Sequence, residues 1–291
     1  MPQFLWYTIP MKKHKIILCF LAIFFLILGT CENGLEDYLD LQRTMIPVSN
    51  YKELQAAIEK DGAVIGLVRS FNIAENPLRI DLGQTITVFA WDQDITLGLE
   101  DGSADDEPLF DVIYGTLNLG HSRSNGTLVL EGKSGRHEAL VRINAPAFFS
   151  ASCTMNNGVI IKNNENTWYL GDGGKGGGVH VSTGIATVTG TFIMNGGEIS
   201  GNTADTGGGV FIDGGGTFIM KGGKISGNTA TVGNGGGVNV LSGTFSKTGG
   251  TIYGSDAGPP NWNRASGLGA AVRDASVPYT RNSTAGPGVA F

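Results

Sequence analysis

The chain has 291 residues and a formal net charge of -6, with 16% charged and 41% hydrophobic residues. That is long enough for one large domain, and the acidic balance excludes a generic nucleic-acid binder, which needs a basic face. The 46 glycines against 10 prolines, without a G-X-Y period, exclude collagen and point to many tight backbone turns.

From the N-terminus, Lys12, Lys13 and Lys15 precede a continuous apolar run, Ile16 to Leu28. This is the layout of a signal peptide over residues 1–30. As a helix the run spans about 20 Å, short of the roughly 30 Å hydrocarbon core, which disfavours a permanent transmembrane helix. Met11 opens a more conventional signal, MKKHK, than Met1 does, so the first ten residues are either an upstream extension or a longer n-region. Leu28-Gly29-Thr30-Cys31 resembles the lipobox of bacterial lipoproteins, an aliphatic and two small residues before a lipidated cysteine. The resemblance implies lipidation at Cys31, with an ordinary secretory cleavage site as the alternative. Of the three cysteines, Cys19 lies in the signal, which leaves Cys153 alone in the mature domain. No internal disulfide is then expected, and Cys153 reads as a small core residue rather than a nucleophile.

Residues 31–46 are acidic without a clear period and read as a lipid-anchored tether. Asn50, with Glu53 three residues on and Leu54, Ala57 and Ile58 at helical spacing, predicts one short amphipathic helix up to Lys60. Beyond it the chain offers only strand-sized apolar runs: AVIGLV, TITVFA, ITLGL, LFDVIYGTLNL, GTLVLEG, ALVRI and NNGVIIKNN, each bounded by Gly, Asn, Asp or Pro. In the second half the runs become a repeat, with GTFIM at Gly190, GTFIM at Gly216 and GTFSK at Gly243, a period of 26 and then 27 residues.

Such a period, with three short strands per copy, is that of a solenoid coil. The fold class expected is all-β: a right-handed, single-stranded parallel β-helix (β-solenoid) over 47–253, clearest in 176–253, with the short helix as N-terminal cap. Phe192 and Phe218, Met194 and Met220, Val210 and Val238, Ile212 and Val240, and Val179 and Val181 should stack inside. Ile193, Ile219, Phe211, Asn239 and His180 should point outward. Glu198 should stand beside Lys224, and Asn202 beside Asn228, about 4.8 Å apart. Residues 254–291, where Pro259, Pro260, Pro278 and Pro287 collect and Lys247 has just replaced the repeat methionine, read as a last coil plus a C-terminal cap that protects the sheet edges.

These repeats resemble those of spirochaete surface lipoproteins with the pattern GGTFxMxGGxISGNTAxxGGGVxV, an FxKTGGTIYG ending and a TAGPG-like close, here Thr284 to Gly288. They are also similar to the repeats of chlamydial polymorphic outer-membrane proteins, although no C-terminal membrane barrel follows, and the N-terminal half resembles pectate-lyase-like β-helices. The resemblance implies an exported protein, lipid-anchored to the cell envelope at the outer membrane or cell surface. It implies no particular activity.

No catalytic or cofactor-binding residues are assigned. Asp101, Asp105, Asp106 and Glu107 supply oxygen ligands of the kind calcium takes, but their spacing matches no calcium loop and a solvated loop is favoured. GDGGKGGG around Lys175 lacks the Ser or Thr that a phosphate-binding loop requires. His121, His137 and His180 are scattered and read as surface residues. The function expected is a non-catalytic adhesion or surface-display module, its partners a glycan or an extracellular-matrix protein besides the membrane. A polysaccharide lyase or hydrolase, drawing on Arg142, Lys162 and the acidic run 92–111, is the alternative. Two carboxylates and a basic residue in one groove would favour the enzyme.

Overall fold

The computed structural model describes residues 32–291 except 75–76, 101–105, 168–173, 185–187, 276–278 and 288–291. The expected signal peptide and Cys31 lie outside the described residues. Helix α1, Glu32–Thr44, forms a unit of its own, separate from 46–291. The expected tether is therefore helical: its Leu, Glu and Gln residues favour helix, and Arg43 in the last turn suits the negative end of the helix dipole. No helix among the described residues is long and apolar enough to cross a membrane.

Residues 46–291 are mostly β, in long parallel sheets. Sheet A holds Ile46–Val48, Val64–Leu67, Thr85–Ala90, Thr116–Leu119, Ala151–Met155, Gly190–Met194, Gly216–Met220 and Gly243–Lys247, neighbours in that order. Sheet B runs in the same way from Phe71–Ile73 to Thr251–Ile252, and sheet C from Leu78–Ile80 to Val272–Asp274. A short sheet D runs from Glu165–Asn166 to Arg264–Ala265 between B and C in the chain. The chain thus visits A, B and C in rotation and adds one parallel strand to each per circuit.

The strand register stacks equivalent residues. In sheet A, Leu117, Cys153, Phe192, Phe218 and Phe245 align on the inner face, and the last three rings stack at 5.1 Å between successive centroids. Beside them run Leu119, Met155, Met194, Met220 and Lys247. Sheet C aligns Val141, Val179, Val210, Val238 and Val272, and sheet B Leu130, Ile161, Ile199, Ile225 and Ile252, all fully buried. The predicted neighbours meet: Glu198 pairs with Lys224 in register. A ladder of Asn164, Asn202, Asn228 and Asn263 runs through the interior, each backbone N–H donating to the Oδ1 of the next. Each of Asn202, Asn228 and Asn263 also donates its amide to a sheet B carbonyl one circuit back, at Ile161, Ile199 and Ile225.

Glycine sets the corners where a side chain has no room. At Gly223, between sheets A and B, φ is +82° and a Cβ would lie 2.5 Å from Met194 Cε and 2.7 Å from the Gly197 carbonyl.

At the N-terminal end helix α2, Tyr51–Ile58, buries Leu54, Ala57 and Ile58 and packs on the strands at 46–48, 71–73 and 78–80. Asn50 caps it, accepting from the Glu53 N–H at 3.1 Å. Glu53 reaches back one residue further than in the usual capping box and accepts from the Ser49 amide at 2.7 Å. At the other end Tyr279–Arg281 turns antiparallel to Val272–Asp274, and Ala285 bridges Ile252 antiparallel. Lys247, fully buried in the methionine row, donates its ammonium to the Gly286 carbonyl at 2.6 Å.

Candidate functional site

Three surface regions bring chemistry together. The first is the outer face of sheet C, where the register lines up Arg79, Asp111, Arg142, His180, Phe211, Asn239 and Arg273. Arg142 forks onto Asp111 with Nε and Nη2 each 2.9 Å from a carboxylate oxygen. Its Nη1 holds Glu138 at 3.0 Å, and Glu107 lies 3.5 Å from Nη2. Burial alone would ease the proton off the guanidinium, but the hydrogen bonds and charge of Asp111, then Glu138 and Glu107, outweigh it and hold the proton more tightly than usual. Asp111 is only 1% exposed. Three carboxylates and a basic residue do meet here, but the arginine cannot act as a base, and Asp111 and Glu138 are hydrogen-bonded to it.

Further along the same row His180 Nε2 lies 3.1 Å from Asp213 Oδ1, and Lys175 Nζ 3.5 Å from the other oxygen. Burial would raise the Asp213 proton affinity, but the His180 hydrogen bond and charge, then Lys175, keep the carboxyl below its ordinary range. Phe211, expected as exposed apolar surface, is only 1% exposed. His180 packs edge-on to its ring at 5.6 Å, Lys175 sits 5.9 Å over it, and the Gly207 turn, at φ +63°, folds back against its Cβ. A side chain on Gly207 would lie 2.8 Å from that Cβ, so the glycine is what allows the turn to close over the ring. Ile193 and Ile219 remain partly exposed on sheet A.

The second region is a groove of about 580 Å³ where sheet A turns into sheet B. Thr87, Ser122, Ser124 and Thr127 offer hydroxyls, and Asn118, Asn125, Asn156, Asn157 and Asn195 offer amides; among the described residues no Asp, Glu, Lys or Arg lines it. Asn156 donates to the Gly120 carbonyl at 3.1 Å and accepts from Asn195 at 3.0 Å, which fixes two of the amides. His121, a titratable side chain in the groove, lies on the Phe89 ring at 5.2 Å. Burial, then the charge of Arg123, lowers its affinity for a proton, so it stands neutral at pH 7. The groove has the size of a small-ligand site.

The third region is the corner from sheet C into sheet A. Tyr114 and Phe149, one circuit apart, meet edge to face at 5.9 Å. Phe148 beside them is 83% exposed at φ +69°.

Other residues singled out in the sequence fall apart in space. Lys162 is on sheet B, paired with Glu131 at 3.0 Å, and shares no cluster with Arg142. Of the four calcium candidates, Asp101 and Asp105 lie outside the described residues, Asp106 meets His137 Nδ1 at 2.6 Å, and Glu107 faces Arg142. No group of three or more His, Cys, Asp or Glu suited to a metal occurs among the described residues. Cys153 is fully buried, and burial pushes its thiol up. Sequence reasoning missed Glu138, Asp213, the buried Arg136 and the Tyr114–Phe149 pair. Asp213 becomes a partner of His180 only through the circuit register, which the weak repeat before residue 190 leaves unset. No known family model, no curated protein and no solved structure matches the chain.

Proposed function

We propose that the chain is an exported, lipid-anchored envelope protein whose folded part is a right-handed, single-stranded parallel β-helix that binds or displays without catalysing a reaction. The rotation of the chain through sheets A, B and C supports the architecture, and parallel crossovers of this kind are right-handed in about 98% of cases. The lipobox-like Leu28 to Cys31 supports an outer-membrane or cell-surface address. The partners fitting such an adhesion or display module are a glycan or an extracellular-matrix protein.

One observation carries the non-catalytic reading. On the outer face of sheet C Arg142 is tied to Asp111 and Glu138, while among the described residues the groove between sheets A and B is lined by neither a carboxylate nor a lysine or arginine. Glycoside hydrolysis needs two carboxyl groups across the scissile bond and eliminative cleavage needs a free base, whereas His121, the groove's titratable side chain, accepts the Arg123 N–H on its Nδ1 at 3.2 Å. Amides and hydroxyls suit a polyhydroxylated ligand held by hydrogen bonds. The alternative, polysaccharide cleavage, is favoured by the meeting of His180, Asp213 and Lys175. Incubating the full-length chain in mild detergent with arrayed polysaccharides and matrix proteins separates the two. Retention with polymer length unchanged is expected, whereas polymer shortening that disappears in His180→Ala would replace binding by catalysis.

A further inference from the structure

We infer that the outer face of sheet A, with the aromatic corner of Tyr114, Phe148 and Phe149 at its edge, binds an uncharged polysaccharide by stacking sugar rings on the aromatic side chains. This rests on the reading of the protein as a binding module. The first support is charge. On the six strands from Thr85 to Lys247 the outward side chains of the first row are Thr85, Thr116, Ser152, Thr191, Thr217 and Thr244. The second row, from Thr87 and Asn118 to Ser246, likewise carries no charge. Charged side chains lie instead on the outer faces of sheets B and C, at Glu131, Lys162, Arg79, Asp111 and Arg142. A face with no charge over six strands gives an ionic polymer nothing to pair with, while its hydroxyls, such as Thr116 and Ser152 at 3.1 Å, hydrogen-bond readily to other hydroxyls.

The second support is Phe148. A bulky residue at φ +69° is held in a conformation glycine would adopt without strain, and 83% exposure means that its ring gives the core little in return. Because packing does not offset that strain, we take the exposed ring as the contact point of the inferred site. The apolar face of a pyranose ring, its axial C–H groups, fits the electron-rich face of such a ring. A membrane-inserting corner would be flanked by lysine and arginine; here Pro146, Ala147 and Ser150 flank the pair.

Phe148→Gly separates function from structure, because glycine relieves the strained φ. With the full-length chain in mild detergent, retention on insoluble chitin and on a neutral β-glucan is expected to fall roughly tenfold or more, while the thermal midpoint stays the same or rises. Polygalacturonate and heparin should retain neither protein. Retention of both proteins alike on the neutral polymers would overturn the assignment of the corner. Wild-type retention confined to charged polymers or matrix proteins would overturn the ligand class while leaving the display reading intact, and polymer shortening would overturn that reading itself. A loss in the variant of binding to phosphatidylcholine vesicles, rather than to polymer, would make the corner a membrane contact, and a loss of self-association would make it an interface between copies.

Discussion

Removing one rung of the asparagine ladder tests whether the interior is held by stacked amides as much as by apolar burial. In Asn228→Ala the lost Oδ1 leaves the buried Asn202 N–H, now bonded at 3.0 Å, without its acceptor. The lost Nδ2 removes one donor from the Ile199 carbonyl at 3.0 Å. Two other groups keep partners: Asn202 Nδ2 still donates to Ile161 O at 3.1 Å, and Asn263 Oδ1 still accepts from the residue 228 N–H at 2.9 Å. One orphaned donor, worth about 1–3 kcal/mol when buried, and one hydrogen bond lost at a weakened acceptor, worth about 0.5–1.5 kcal/mol, predict a loss of about 1.5–4.5 kcal/mol. Urea unfolding of residues 46–291, followed by circular dichroism, reads it. Lys224→Ala, an exposed change one strand position away from the core, should shift the free energy by less than about 0.5 kcal/mol. If Asn228→Ala behaves like Lys224→Ala, the amides are passengers and apolar stacking alone holds the circuits together.

Two further outcomes follow from buried groups. In residues 46–291, where Cys153 is the single cysteine, its fully buried thiol, pushed up by desolvation, should resist iodoacetamide while folded and react in step with urea unfolding; rapid alkylation without denaturant would place the thiol outside the core. Asp213 is held below the ordinary carboxylate range, so its contribution is present above about pH 4 and is lost as pH falls through the lower folded value. Thermal midpoints of wild type and Asp213→Asn should therefore differ at neutral pH and converge in acid, and a gap that widens in acid would contradict the His180 and Lys175 contacts.

The sequence made the second half legible because its period is nearly exact: the Phe192, Phe218 and Phe245 stack and the pairing of Glu198 with Lys224 follow from spacings of 26 and 27 residues. Earlier circuits vary in length. Leu117 pairs with Cys153 and Cys153 with Phe192 across gaps of unequal size, so no fixed offset predicts them. Strands such as Ile46–Val48, Phe71–Ile73 and Leu78–Ile80 escaped detection because three residues carry too little alternation to stand out. Phe211 was misread for a different reason. Period-two alternation tells which face of a sheet a side chain leaves from, but not that a glycine turn from the same circuit then folds over it.

The same limit explains why the candidate site was the least legible part. Facing inward, a row must be apolar, and that constraint writes a pattern. Facing outward, a row is constrained only by what it meets, so Arg142 and Asp111 on sheet C and the hydroxyl rows on sheet A look alike as polar letters until the register places them. Once placed, they separate by what remains available. Sheet C spends its charges on one another, giving a surface whose strongest groups are already satisfied, whereas the hydroxyls of sheet A lie beside an aromatic residue held against its backbone preference. A ligand gains more from hydroxyls that can exchange one neutral hydrogen bond for another than from ions it would have to pull apart, and this is why the proposed ligand is assigned to sheet A rather than to the more conspicuous ion cluster.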